Sequence, residues 1–193
     1  MPKRPGNPLT TEELYRRALA IVDDNGLEAL TMRRLAAAVG VRAPSLYNHV
    51  TGKEELIDGA LGVMRAELRL PDPMPEDWKT VMETILMAYR RVLADHPNMM
   101  PLAGRRLPSD EDSGLAYLVQ QGFAPDQAVE LWQTLTALTI GFSLFSSGYA
   151  DGGAAGMPVD FENRAAEWRD ETYTRALRLI METFESDRVA QRS

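Results

Sequence analysis

The stretch LAAAVGVRAPSLYNHVTGKEEL, Leu35 to Leu56, sets a short polar segment between two amphipathic ones. Just before it, Thr31 stands as an N-cap. Met32, Leu35, Ala36 and Val39 then recur at i, i+3, i+4 and i+7, a spacing that predicts a helix stopped by Gly40. After the turn Gly40-Val41-Arg42, Pro44 occupies a first helical position, where its missing N–H costs nothing and its fixed φ suits the helix. A third helix is predicted from there to about Val50. It is too short to be stable alone, and only Leu46 and Val50, with Val41 in the turn, can face inward. Thr51-Gly52 breaks the chain, and Lys53 to about Leu70 predicts a longer fourth helix with Leu56, Ile57, Ala60, Leu61, Met64 and Leu68 apolar.

Helix, glycine turn and short helix make a helix-turn-helix, whose second helix faces the major groove while the first braces it. In that role Ser45, Asn48, the Ala43 methyl and the Pro44 methylenes can meet base edges, small apolar groups being suited to thymine methyls. Arg42 can fork onto a guanine or pair a phosphate. Tyr47 and His49 can each donate to a phosphate oxygen; the alternative for His49 is a solvated surface position. Lys53 opens a helix, so its ammonium and the helix N–H groups point the same way. Thr31, Arg33 and Arg34, at the start of the bracing helix, complete the DNA-facing set.

A net charge of −7 is unevenly spread along the 193 residues. Through Lys53 there are eight Lys or Arg against five Asp or Glu, a balance of +3, and the remaining 140 residues carry 13 basic and 23 acidic side chains, a balance of −10. A basic head on an acidic body fits a protein of which only one part approaches a polyanion. Cysteine is absent, which excludes disulfides and thiolate metal sites and fits a reducing compartment. No consecutive apolar run reaches the roughly 18 residues of a membrane span, and MPKRPGNPLTTEE has no apolar stretch behind its basic residues. A cytoplasmic protein with no membrane partner is expected.

The head begins with a helix capped by Thr10 and Glu13 as a capping box, with Leu9 and Leu14 as a staple and Gly26 at its end. Residues 1–8 precede it as a flexible arm. The proline-rich PDPMPEDW, Pro71 to Trp78, marks the boundary between a first domain, 1–70, and a second, 71–193. In the second, helical patterns recur at about 76–94, 98–104, 111–122, 125–149 and 162–186, with the Gly-rich ADGGAAGMPVD, Ala150 to Asp160, as a connector. With no alternating strand pattern longer than four residues, the fold class is all-α.

TMRRLAAAVGVRAPSLYNHVTGKEEL resembles the DNA-binding signature of the tetracycline-repressor (TetR) family of bacterial transcription regulators. The resemblance covers about Leu9 to Leu68 and is closest over Val41 to Lys53. It implies that the turn and third helix read bases and that Tyr47, His49 and Lys53 grip phosphates. Val50 stands where the family often has Phe, and Asn48 where it often has an aromatic or basic residue, so no base preference is implied. WKTVMETILMAYRRVLADHPNMMPL and GFAPDQAVELWQTLTALTIGFSLFSSGYA resemble the family's ligand-binding and dimerisation domain. There a His-Pro lies near the effector pocket and the final helices pair across a two-fold axis. The resemblance thus implies a homodimeric repressor on a palindromic double-stranded DNA operator, released by a small molecule. Independently, one short helix touches few base pairs, and two helices about 34–36 Å apart supply the missing affinity.

His96, Met99, Met100, Leu102, Trp132, Thr136, Thr139, Phe142 and Ser143 form the expected pocket, with soft and aromatic walls and hydroxyl handles for an apolar or aromatic ligand. Ordinary helix-bundle core is the alternative for each. His96 can also simply end a helix before Pro97. It lacks His or Cys neighbours for a metal, and neither metal nor cofactor is expected. Leu131, Leu135, Leu138 and Phe142, with Leu177, Ile180, Met181 and Phe184, form stripes that either dimerise or fill an intramolecular core. GRRLPSDEDS, Gly104 to Ser113, reads as a solvated loop or a lid over the pocket.

An enzymatic reading finds no nucleophile–base–acid set, no metal-ligand spacing and no phosphate-cradling glycine loop. The acids Asp110-Glu111-Asp112 have no apolar setting to separate their pKa values. The remaining alternative is a helix-turn-helix regulator governed by a protein partner or by nothing.

Overall fold

The computed structural model describes residues 9–105, 113–150 and 170–190. The N-terminal arm, most of the Gly104–Ser113 stretch, the connector beyond Ala150 and the start of the last expected helix lie outside the described residues. Among those described, every regular element is helical and there is no strand, as the all-α reading requires. The chain divides into two compact units: 1–67 with 96–103, and 68–95 with 104–193.

In the first unit, α1 (Thr11–Asn25) opens with Thr10 accepting from the Glu13 amide at 3.2 Å. A 3-10 turn (Leu27–Ala29) leads to α2 (Met32–Val39), where the Thr31 hydroxyl accepts from the Arg34 amide at 3.1 Å. Gly40 ends α2 with φ 73° and ψ 30°. The amides of Gly40 and Val41 return to the carbonyls of Ala37 and Ala36 at 3.3 and 3.0 Å, a Schellman closure that turns the chain sharply. The third element, α3 (Ala43–Leu46), is shorter than the spacing predicts. From Tyr47 its hydrogen bonds shorten to Tyr47 N–H to Pro44 and His49 N–H to Leu46. Only the Val50 amide, 3.0 Å from the Leu46 carbonyl, keeps the α spacing. α4 (Lys53–Arg65) also stops early, where the Glu67 amide bonds back to Met64.

Leu14, Leu30, Leu35, Leu46, Leu56, Leu61 and Met64 are fully buried and hold α1 to α4 together. α1 and α4 make the main pairing, and they cross at Gly59, where an added Cβ would fall within the Tyr15 ring. A 3-10 segment (Pro97–Leu102), reached in the chain through α5, packs against α1 and buries Met99 and Met100.

The second unit is a helical body: α5 (Trp78–Asp95), α6 (Ser113–Gln120), α7 (Pro125–Ala150) and α8 (Asp170–Ala190). Asp77 opens α5 by accepting from the Thr80 amide and hydroxyl, both at 2.9 Å. α7 is central, packing against α5, α6 and α8. By length and composition it could cross a bilayer, but its Leu131, Leu135 and Phe142 are buried with Trp78, Met82, Leu118, Phe123, Tyr173, Leu177 and Met181 in one core.

Candidate nucleic-acid interface

The turn and α3 divide their side chains sharply. Leu46 is wholly buried and Val50 nearly so, whereas Arg42, Pro44, Ser45, Tyr47 and Asn48 are exposed, Tyr47 at 58%. Thr31, Arg33 and Arg34 of α2 are exposed as well; Ala43, His49 and Lys53 are half-buried. Tyr47 thus stands open beside the fully seated Leu46. The hydroxyl of Thr31 caps α2.

Behind this surface, α1 holds the segment 49–55 at two points. The Thr11 hydroxyl reaches the His49 carbonyl at 3.5 Å. The Tyr15 hydroxyl donates to one Glu55 carboxylate oxygen at 3.0 Å, while the other accepts from the Thr51 amide at 2.7 Å and the Thr51 hydroxyl at 2.8 Å. The Thr51 amide and hydroxyl hold the Glu55 carboxyl below the usual carboxylate range; burial raises the Tyr15 phenol, with Glu55 adding to it. Sequence reading found the Thr10–Glu13 cap but missed this one, because Glu55 reaches back four residues rather than three. Gly52, the residue that caps α4, offers no side chain for the purpose.

His96 is buried in the first unit between two acids. Its Nδ1 lies 2.9 Å from Asp23 and its Nε2 3.2 Å from Glu67, and Asn98 donates to the Asp23 carbonyl at 2.8 Å. Burial alone would lower the imidazole pKa, but hydrogen bonds and charge from Glu67 and Asp23 outweigh it and the pKa is raised. Asp23 is itself pushed up, chiefly by burial. The ring therefore ties the end of α1 and the residues after α4 to the Pro97–Leu102 segment. Nothing in the sequence points to this, with partners 73 and 29 residues away.

The residues expected to line a pocket fall into both units. His96, Met99, Met100 and Leu102 belong to the first, and Trp132, Thr136, Thr139, Phe142 and Ser143 to the second. In the second unit the Thr139 hydroxyl pairs with the Leu135 carbonyl (2.7 Å) and the Tyr173 hydroxyl (2.6 Å), and the Ser143 hydroxyl donates to the Thr139 carbonyl (2.8 Å). Burial pushes the Tyr173 phenol up to about 12. Arg90 stacks on Phe142 and Tyr173, with centroid distances of 4.8 and 5.1 Å, and pairs with Asp170. The Thr136 hydroxyl is buried without a hydrogen-bond partner among the described residues. Of the expected dimer stripes, Leu131, Leu135, Phe142, Leu177 and Met181 are buried within the body, while Leu138, Ile180 and Phe184 are partly so. The large apolar side chains most open on α7 and α8 are Leu144, Phe145, Leu179 and Val189. Among the described residues no group of three or more His, Cys, Asp or Glu could hold a metal.

Residues 11–60 match the bacterial regulatory proteins of the tetR family. Over 121 residues the chain is 33% identical to an HTH-type transcriptional regulator of Saccharopolyspora erythraea, a match covering 60% of this chain and 51% of that protein. It is 29% identical over 162 residues to the tetracycline repressor protein class A from transposon 1721 of Escherichia coli, covering 79% and 74% respectively. The match thus spans about half of the first relative and about three quarters of the second. In fold it is similar to a TetR variant from Acinetobacter baumannii AYE crystallised with minocycline. The TM-score is 0.74 at 22% identity, covering 94% of this chain and 99% of that one.

Proposed function

Because the chain belongs to the tetR family of bacterial regulatory proteins, we propose that it is a dimeric repressor whose two heads bind a palindromic operator and are released by a small apolar or aromatic effector. The observation that carries DNA reading is the division along α3 and the turn after it: Leu46 and Val50 seat the segment, and Ser45, Tyr47 and Asn48 are left open. In this proposal Arg42, Ala43, Pro44, Ser45 and Asn48 meet base edges. Tyr47, His49 and Lys53 hold phosphates, and Thr31, Arg33 and Arg34 flank them. Phosphate contacts fix register, and base contacts choose sequence. Lys53→Ala therefore weakens binding about equally on every duplex, while Asn48→Ala changes which duplexes are retained. Equal behaviour of the two variants across sequences would contradict the assignment.

The dimer proposed here pairs α7 and α8 of two copies through Leu144, Phe145 and Leu179, flanked by the partly buried Leu138, Ile180 and Phe184. Effector binding is supported by the relatives named as tetracycline repressors and by the unpartnered Thr136 hydroxyl beside Trp132 on α7. The effector must favour the DNA-incompetent state, since equal affinity for both shifts nothing. α4, which begins at Lys53 and ends beside the His96 cluster, is the proposed lever. Crosslinking the two heads at operator spacing then abolishes release by the effector, and release that persists in that form would remove α4 from this role.

One observation favours a second reading, a regulator without a small-molecule effector: the Thr139 and Ser143 hydroxyls are already engaged inside the body. A thermal-shift screen against apolar and aromatic molecules separates the two. Stabilisation lost in Thr136→Val supports the sensor, and a uniform absence of shifts supports the alternative.

A further inference from the structure

We propose that Glu55 is a positioning residue for DNA binding, holding the Thr51–Lys53 turn and the start of α4 against α1 in the arrangement that meets a phosphate. The inference rests on the DNA-reading function proposed above. It begins from an electrostatic mismatch: a carboxylate two residues from Lys53 opposes the attraction of a phosphate there. A carboxylate in the first turn suits the helix dipole but not a nearby phosphate, and its hydrogen bonds give Glu55 a specific place here. One oxygen takes both the amide and the hydroxyl of Thr51, and the other takes the Tyr15 hydroxyl. The carboxylate thereby joins α1 to the residue just before Gly52, where the α4 start has no capping side chain of its own. Tyr15 is in turn fixed by close approach, because its ring packs where Gly59 lacks a Cβ. The Thr11 hydroxyl at the His49 carbonyl adds a second tie from α1 to the same segment. His49 and Lys53 therefore sit at the two ends of a stretch anchored from behind.

The role separates from simple charge repulsion by substitution. Glu55→Gln removes the charge yet can rebuild the network: its amide oxygen accepts from Thr51 and its NH2 donates to the Tyr15 oxygen. Glu55→Ala removes both charge and network. The test is anisotropy titration of the full chain with a labelled pool of random-sequence duplex between about 50 and 200 mM salt. Circular dichroism confirms that each variant is folded at the assay temperature. The expected result is that Glu55→Ala binds about threefold to tenfold more weakly, with the salt slope reduced by about one for each bound head. Glu55→Gln matches or exceeds the wild type, and Tyr15→Phe falls between. Glu55→Ala binding as tightly as the wild type, or Glu55→Gln losing as much as Glu55→Ala, would overturn the role. A wild-type chain that binds no duplex at all would overturn the DNA-reading function itself, and this inference with it.

Discussion

At His96 an imidazole sits between two carboxylates, and this arrangement predicts a pH-dependent stability for the first unit. The ring's pKa is raised above its ordinary 6.5 in the fold, so the folded state holds the proton more tightly than the unfolded one. The resulting stability is fully present below the unfolded value and is lost as pH rises through the folded value. Thermal unfolding followed from about pH 6 to about pH 8.5 should therefore show a falling midpoint. His96→Asn should lower the midpoint at the acid end and flatten the profile; an unchanged slope in that variant would remove His96 as its source. Gly59 gives a second prediction. Gly59→Ala drives a methyl into the Tyr15 ring, forcing α1 and α4 apart at a cost of about 1–3 kcal/mol, measurable by chemical denaturation. At this scale the exposed set from Arg42 to Asn48 was legible in the sequence, because a segment with only Leu46 and Val50 to face inward must leave most of the rest outside. The His96 cluster and the Glu55 network were not: neither follows a local period, and each needs α1 to be brought against residues far along the chain.

Among the elements, the turn between α2 and α3 makes the strongest demand. Gly40 lies in the left-handed region at φ 73°, and Gly40→Ala should cost about 1–2 kcal/mol. Leu46→Ala, which empties the one fully buried position of α3, should cost about 2–5 kcal/mol and weaken DNA binding by freeing the element it seats. Denaturation with parallel duplex titration checks both, and full binding by Leu46→Ala would mean that α3 does not depend on this anchor. Starts and stops of α1 and α2 could be read directly because caps and glycines are local signals. The ends of α3 and α4 could not. α3 gives way to a tighter turn after four residues, and α4 closes before Leu68, the end of its predicted apolar stripe. The first closes as the His49 and Val50 amides turn back to the Leu46 carbonyl and the second as the Glu67 amide turns back to Met64, neither marked by a capping residue of the kind that ends α1 and α2.

For the whole molecule, the basic head and acidic body were visible in the charge distribution alone. The roles of the body's apolar stripes were harder to see. A helical repeat marks a buried face but not whether the partner is the same chain or a second copy. Leu131, Leu135, Phe142, Leu177 and Met181 turn out to fill the body's own core. The proposed dimer therefore makes a sharper prediction at Phe145, 58% exposed on α7. Phe145→Glu should shift the protein toward monomer in analytical ultracentrifugation and weaken duplex binding, while leaving its helical content intact. A wild-type chain that sediments as a monomer at micromolar concentration would remove the two-headed reader. The most direct test of DNA reading by paired heads is to sequence the duplexes that the purified protein retains from a randomised library at about 150 mM salt. The expected result is an enriched palindrome with half-sites one helical turn apart, about 34–36 Å. Retention without enrichment, or no retention at all, would contradict it.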